Sequence, residues 1–219
     1  MTERSYMGLM SVLRSRTSPS GFVEPCIPTI ASAPPSGPSW LHEIKHDGYR
    51  LMGRLEAGRV RLFTRRGHKW SERYPRIGEA LAGLRARSAT IDGEAVVLCP
   101  ETGLSLFDEL HSGRRDRDVM LYAFDLIELN GDDLRREPLE VRKATLISLL
   151  TKTSSGIRIN EHIEGDGETV FRHACRLGCE GIVSKQRVST YRSGRVRTWI
   201  KVKNPGSPAM TRVWERWSV

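Results

Sequence analysis

The stretch WLHEIKHDGYRLMGRLEAGRVRLFTR, residues 40–65, decides the fold class of this chain. It divides into three segments of strand-forming residues, and the Ala57-Gly58 pair supplies a turn between the second and the third. The three segments are 40–46, 48–56 and 59–65. Since strands joined by short turns pair in opposite directions, the stretch predicts an antiparallel sheet.

Outside this stretch, further strands alternate with helices. Apolar residues recur at helical spacing after Tyr74, a second helix begins at Pro138, and a third ends before Gly178. The predicted helices are 74–87, 138–152 and 168–177, and the predicted strands are 90–98, 119–129, 181–186 and 196–203. Asn130-Gly131 predicts a turn after the strand 119–129. The fold class is therefore α+β, a single domain of antiparallel sheet with flanking helices.

Composition divides the chain into three parts. Residues 1–21 are rich in serine and arginine without an apolar pattern, which predicts a mobile tail, and residues 209–219 form a short second tail. The domain spans residues 22–208. Its proline-rich start, residues 24–39, predicts an extended arm that leads into the first strand.

The charge of the chain indicates a polyanionic partner. Its 219 residues include 35 Lys and Arg against 26 Asp and Glu, a formal net charge of +9 with a pI near 9.8. Nucleic acid is the simplest such partner, although a solvated basic surface gives the same count. No apolar run approaches the roughly 20 residues of a membrane span, and the N-terminus lacks a signal-peptide core. Four scattered cysteines make no disulfide framework, so we expect no membrane partner and a cytoplasmic protein.

Lysine is used sparingly. Only seven of the 35 cations are lysines, and four of them fall in the motifs described below, at Lys45, Lys185, Lys201 and Lys203. An amine loses its proton far more readily than a guanidinium does. A chain that otherwise uses arginine is therefore expected to keep lysine where a neutral amine matters.

Strand alternation groups charged residues on one cleft. Alternate residues of a strand share a face, and three such pairs are Glu43 with Lys45, Asp92 with Glu94, and Lys201 with Lys203. The last strand is expected to place on the opposite face Val196, Thr198, Ile200 and Val202. An amine, carboxylates and cations in one cleft suit nucleotidyl transfer from a triphosphate. No Gly-x-x-x-x-Gly-Lys-Ser/Thr loop is present, so ATP would not be held by a P-loop.

Six short segments resemble, in order, the motifs of the nucleotidyltransferase domain of ATP-dependent DNA ligases, and most closely the ligase module of bacterial end-joining ligases. The segments are Lys45-His46-Asp47-Gly48, Thr64-Arg65-Arg66-Gly67, Asp92-Gly93-Glu94, Tyr122-Ala123-Phe124-Asp125, residues 180–185 (EGIVSK) and residues 199–203 (WIKVK). The resemblance runs from about Phe22 to Pro208. It implies the antiparallel, ATP-grasp-like fold of ligase adenylation domains.

The resemblance implies roles for the matched residues. Lys45 is expected to be the catalytic nucleophile that becomes adenylylated. Glu94 and Glu180 are expected to hold Mg²⁺ or Mn²⁺, and Phe124 to stack on adenine, while Asp125 stays open between a metal ligand and a structural partner. The residues expected to bind the ATP cofactor are Glu43, Arg50, Arg65, Glu94, Phe124, Lys185, Lys201 and Lys203.

The resemblance also implies DNA ligation in three steps. Lys45 attacks the α-phosphate of ATP, the 5′-phosphate of a nick in double-stranded DNA takes the AMP, and the 3′-hydroxyl then displaces it. The expected function is the sealing of nicks in DNA repair and recombination, at the bacterial nucleoid. Lys45 must lose its proton to attack, and Asp47 would hinder that loss if it faced the amine.

Family members normally continue past the last of these motifs, here residues 199–203, into an OB-fold domain that orients pyrophosphate and clamps DNA. Only 16 residues follow Lys203, too few for a five-stranded barrel, so the sequence predicts a ligase of minimal architecture. Three outcomes stay open. The chain self-adenylylates slowly alone, a separate partner protein supplies the OB-fold function, or the chain acts on an already adenylylated nick.

Other functions stay open as well. A truncated ligase domain could hold nicked DNA or ATP without turnover, and RNA ligases and mRNA-capping guanylyltransferases share the fold. A covalent AMP adduct would separate an enzyme from a binding module. Cys175 and Cys179, with His162 and His173 nearby, have a one-turn spacing but an incomplete zinc-chelating set, so zinc is not favoured.

Overall fold

The computed structural model describes residues 21–151, 153, 155–210 and 212. Nearly all of the predicted tail at residues 1–21, and most of that at 209–219, lie outside the described residues. Lys152, at the predicted end of the second helix, lies outside them too.

Within the described part of the chain, the α+β class is confirmed. The strands are β1 (Cys26–Ile30), β2 (Trp40–Ile44), β3 (Tyr49–Glu56), β4 (Arg59–Thr64), β5 (Ser88–Val96), β6 (Met120–Leu129), β7 (Asp132–Asp133), β8 (Ile157–Ile159), β9 (His162–Ile163), β10 (Gly181–Gln186) and β11 (Gly194–Lys203). The helices are α1 (Pro75–Ala82), α2 (Phe107–Ser112), α3 (Leu139–Leu150) and α4 (Gly167–Arg176). Every predicted strand and helix exists; α1 and α3 are shorter than predicted, and α4 has the predicted length but begins one residue earlier.

Two mostly antiparallel sheets carry the fold. The first has the order β1-β11-β10-β2-β9, and the second has the order β4-β3-β5-β6-β7 with β8 beside β6. The chain crosses from one sheet to the other between β2 and β3, at residues 45–48. The segment that begins with Lys45 therefore lies at the junction of the sheets.

Two apolar clusters hold this arrangement. One lies between the sheets and combines Leu41 and Trp199 of the first with Met52, Phe63 and Phe124 of the second. The larger cluster covers the other face of the second sheet. It is built from β3, β4, β5 and β6 together with the apolar faces of α1 and α2. Burial of these faces is the main favourable contribution to folding.

Both predicted turns are present. Ala57 (φ 47°) and Gly58 (φ 77°) join β3 to β4, and Asn130 (φ 55°) and Gly131 (φ 100°) join β6 to β7. Two consecutive left-handed residues make the tight turn that matches the twist of a hairpin.

One expectation of local structure was wrong, the separation of Val196 and Trp199 onto opposite faces of β11, and two features were not predicted. The proline-rich arm contains strand β1, which pairs in parallel with β11. Val196 packs against the same cluster as Trp199, because pairing with β1 slips between Pro28 and Thr29 and breaks the alternation of β11. Helix α2 and the short strands β7, β8 and β9 were not predicted, since segments of two to six residues carry too little periodic signal.

Candidate active site

Lys45 lies at the end of β2, where the backbone still pairs with β10. Its N–H donates to the Gly181 carbonyl at 2.9 Å. Its Nζ makes an ion pair with Oε2 of Glu180, whose Oε1 lies 3.6 Å from Lys203 Nζ. The carboxylate that faces the Lys45 amine is therefore Glu180.

Asp47 is directed elsewhere. Its carboxylate pairs with Arg212, and its N–H donates to Ser105 Oγ at 3.3 Å. The Arg212 guanidinium also lies 4.8 Å from the centroid of the Phe107 ring. Asp47 thus forms its ion pair with the residues that follow the last strand, and not with Lys45.

A small cleft, with a volume of about 80 Å³, opens beside Lys45. Six predicted site residues line it, namely Glu43, Lys45, Arg50, Glu94, Phe124 and Lys185. Arg65 lines a neighbouring cleft, which shares Arg50 and Glu94 with the first. Lys201 and Lys203 are outside the lining of both clefts, on the strand next to β10.

Arg50 is held in place by a buried carboxylate. Its Nε and Nη2 donate to the two oxygens of Asp92 at 3.0 and 2.6 Å, and the Tyr191 hydroxyl donates to Asp92 at 2.5 Å. Burial alone would lower the pKa of Arg50, but Asp92 raises it above its usual value. Arg50 is therefore a fixed positive charge in the cleft wall.

Glu94 has an unusual carboxyl group. Burial raises its pKa to about 7, although Lys45 and Arg50 act in the opposite direction, and the charge of Glu180 raises it further. Such a group is partly protonated near neutral pH. Entry of a cation would favour its ionised form.

Phe124 lies in the wall of the cleft between cations. Lys185 Nζ and the Arg50 guanidinium lie 4.3 and 5.0 Å from the ring centroid, and Trp199 contacts the ring edge-on at 6.2 Å. The side chain is 9% exposed. An adenine can stack on this ring only if a neighbouring cation moves aside.

Sequence reasoning missed Lys143 of α3. This lysine is 1% exposed, and its Nζ donates to Glu43 Oε1 at 2.6 Å and to the Asn160 carbonyl at 3.0 Å. The signal was available, because Lys143 stands four residues after Leu139 and three before Leu146, on the buried face of the helix. It is also one of only seven lysines.

Arg142, which precedes Lys143 in α3, decides the role of Asp125, which the sequence left open. Arg142 donates to both oxygens of Asp125 at 2.7 and 2.9 Å, and both side chains are fully buried. Arg142 also donates to the carbonyls of Glu137 and Ser189. Asp125 is a structural partner of Arg142.

Lys201 lies among other cations, of which Lys45 and Lys203 lie near the Glu180 carboxylate. Burial lowers its pKa, and the charges of Lys45, Lys203, Arg65 and Arg195 lower it further. Its side chain makes no ion pair with any of the described residues. A cluster of this kind is a favourable place for phosphate groups.

The carboxylates suit a hard divalent cation that shares its ligands with a substrate. No group of three or more His, Cys, Asp or Glu side chains is placed to hold a metal among the described residues, Cys175 and Cys179 included. Glu94 and Glu180 both face Lys45, and their charges interact. Mg²⁺ typically takes one or two carboxylates together with phosphate oxygens and waters, so this pair fits it.

The fold and the site define a nucleotidyltransferase domain with its lysine at the junction of two sheets. The profile of the family described as ATP dependent DNA ligase domain matches residues 28–203. The chain belongs to this family. Among helices in the described part of the chain, none is long and apolar enough to cross a membrane.

Individual relatives agree with this family. The multifunctional non-homologous end joining protein LigD of Pseudomonas aeruginosa is 40% identical over 186 residues, which cover 83% of this chain and 22% of that protein. A DNA ligase of Pyrobaculum calidifontis is 34% identical and is matched over 31% of its length. A solved structure, mycobacterial DNA ligase D complexed with ATP and MES, superimposes with a TM-score of 0.72 at 34% identity, covering 82% of this chain and 59% of that one. The chain thus spans about a fifth of the LigD relative.

Proposed function

We propose that this chain is the adenylation domain of an ATP-dependent DNA ligase, which forms a covalent lysyl–AMP intermediate on Lys45 and seals nicks in double-stranded DNA. The observation that carries the proposal is the position of Lys45. Its amine lies at a cleft whose wall presents Arg50 and Lys185 as buried cations. The ATP bound in the mycobacterial neighbour supports the choice of nucleotide.

In the proposed first step, the Lys45 Nζ lone pair attacks the α-phosphorus of ATP. A P–N bond forms, the bond from that phosphorus to the bridging oxygen breaks, and pyrophosphate leaves with the electron pair while Nζ loses its proton. Glu180 holds the amine until then, and Lys185 and Arg50 neutralise phosphate charge. A Mg²⁺ held by Glu94 and Glu180 would supply further charge neutralisation.

In the second and third steps the nick takes part. An oxygen of its 5′-phosphate attacks the adenylate, the P–N bond breaks, and Lys45 regains a proton. The 3′-hydroxyl then attacks the 5′-phosphorus, loses its proton and releases AMP. Arg65, Lys201 and Lys203, which lie outside the nucleotide cleft, are proposed to hold leaving pyrophosphate and then DNA phosphates.

The relatives support the choice of DNA as substrate. Their names assign end joining and DNA ligation to them, and the net charge of +9 here suits a polyanion. We propose that the protein acts in DNA repair in the bacterial cytoplasm, on the nucleoid.

Intact-mass measurement after incubation with ATP and Mg²⁺ tests the covalent step. We expect a gain of one AMP in the wild type and in Lys69→Ala, an exposed lysine outside the cleft, and no gain in Lys45→Ala. An unmodified wild type that also fails to seal a pre-adenylylated nick would contradict the proposal. It would favour a domain that only binds nicked DNA or ATP.

A further inference from the structure

A buried trio of charges lies behind the nucleotide cleft. Glu43 is 1% exposed and lies between two lysines from different elements, Lys143 of α3 and Lys185 of β10. The Lys143 Nζ is 2.6 Å from one carboxylate oxygen, and the Lys185 Nζ is 2.7 Å from the other. Both oxygens of Glu43 are therefore occupied by the lysines.

The two lysines are not equivalent. Lys143 donates to Glu43 and to the Asn160 carbonyl, so it is satisfied within the protein. The Nζ of Lys185 lies 2.7 Å from Glu43 and makes no other ion pair with the described residues. This Nζ lies against the rings of Phe124 and Trp199, in the lining of the cleft.

The charges of the trio do not cancel. Two ammonium groups share one carboxylate, which leaves a net charge of +1 in a buried wall. Burial would raise the pKa of Glu43, but Lys143 and then Lys185 outweigh it and lower the pKa, so the carboxylate stays ionised. Without Lys143, the same carboxylate would pair with Lys185 one to one and cancel its charge.

We propose that Lys143 is a positioning residue for nucleotide binding, which takes up part of the Glu43 charge so that Lys185 keeps a net positive charge directed at a nucleotide phosphate. This inference rests on the proposed function, since it assumes that the cleft holds ATP. Glu43 then acts on the nucleotide through Lys185, because neither of its oxygens is free.

The proposal predicts that loss of Lys143 weakens the binding of the phosphates and leaves the binding of adenosine nearly unchanged. The ligand probes are adenosine and an ATP analogue with a methylene bridge between its α- and β-phosphates, which blocks transfer to Lys45. In Lys143→Met we expect the dissociation constant of the analogue, measured by NMR titration, to rise about tenfold or more, and that of adenosine to change less than about threefold. Lys143→Arg, which keeps the charge, should recover most of the loss.

The double variant Lys143→Met/Glu43→Gln tests the same charge balance from the other side. It removes one charge of each sign and leaves Lys185 unpaired, so we expect it to bind the analogue at least about fivefold more tightly than Lys143→Met does. Parallel losses for analogue and adenosine, or no loss for either, would overturn the proposal. If Lys143→Met alone does not fold, the double variant is compared with the wild type instead. An affinity for the analogue more than about tenfold weaker than that of the wild type would then overturn the proposal.

The wild type measured alongside keeps the two proposals distinguishable. If the wild type binds the analogue but neither gains AMP from ATP nor seals a pre-adenylylated nick, the proposed function fails. If it gains AMP while Lys143→Met binds the analogue as the wild type does, only the role of Lys143 fails.

Discussion

The close approach of residue 48 to strand β5 explains why the Lys45-His46-Asp47-Gly48 segment ends in glycine. A Cβ at this position would lie 2.3 Å from the Ala95 carbonyl oxygen and 2.8 Å from Val96 Cγ1. The first of these is backbone of β5, which cannot give way without moving Glu94. The glycine therefore lets the chain leave Lys45 and pass directly over the strand that carries a candidate metal ligand.

We expect Gly48→Ala to lower the free energy of unfolding by about 2 kcal/mol or more, because overpacking against backbone forces a shift. The variant should also lose most of the AMP adduct. Denaturant unfolding and intact mass measure the two effects. Gly78→Ala is the matched control, since its Cβ meets nothing within 4 Å in helix α1, and we expect it to be neutral or to stabilise by about 0.5–1 kcal/mol.

His46 makes stability depend on pH. Its ring packs on Tyr122 with centroids 4.4 Å apart, and burial lowers its pKa to about 4. The unfolded chain binds this proton near pH 6.5, whereas the folded chain does not until about pH 4. The contribution of His46 is therefore fully present above pH 6.5 and is lost as the pH falls toward 4.

We expect the stability of the wild type to fall more steeply than that of His46→Gln between pH 6.5 and 4. Urea unfolding at several pH values measures this difference. His42 and His162 also have lowered pKa values and are present in both proteins, so their effect cancels in the comparison. Parallel curves for the two proteins would mean that His46 is not held neutral by the fold.

At the scale of elements, α3 joins the two sheets through consecutive buried cations. Arg142 binds Asp125 of β6 in the second sheet, and Lys143 binds Glu43 of β2 in the first. Each pair is fully desolvated, so each carboxylate depends on its cation. Removing one partner of such a pair costs far more than replacing both.

We expect Arg142→Met to destabilise the domain by about 3–5 kcal/mol, because it leaves the Asp125 charge buried and unpaired. Arg142→Met/Asp125→Leu should recover part of this loss. Arg135→Met is the control, since its pair with Asp133 is 36% exposed on the arginine side and should be worth under about 1 kcal/mol. Thermal and denaturant unfolding measure both losses of stability. A loss in Arg142→Met no larger than that in the control would contradict the expectation.

At the scale of the whole molecule, the excess of positive charge leads us to expect that binding of DNA depends on salt. Binding of a nicked duplex should weaken at least about tenfold between 50 and 200 mM salt, because phosphate contacts release counterions. Lys201→Gln/Lys203→Gln should reduce the salt slope by about two. Arg87→Gln, just before the start of β5 and away from the cleft, should leave it unchanged. Equal salt slopes in all three proteins would mean that Lys201 and Lys203 do not contact DNA phosphates.

The assignment of residues from sequence succeeded where the pattern is local. The period-two alternation placed Glu43 with Lys45, and the left-handed pairs at 57–58 and 130–131 marked hairpins, because each depends on neighbours in the chain. The burial of Lys143 could be read from its helix face, but its contact with Glu43 and the parallel pairing of β1 with β11 could not. Their partners stand 100 residues or more away, and nothing local records such a contact.

The sequence by itself determined the fold class, the family and the set of chemical groups at the site, since periodicity, turn residues and motif order are properties of the chain. Only the tertiary structure decided which charges meet. It paired Lys45 with Glu180, turned Asp47 toward Arg212 and placed Lys143 behind Glu43. Ion pairing depends on distance and on desolvation, and both are set by how two sheets and a helix pack, which no stretch of sequence contains.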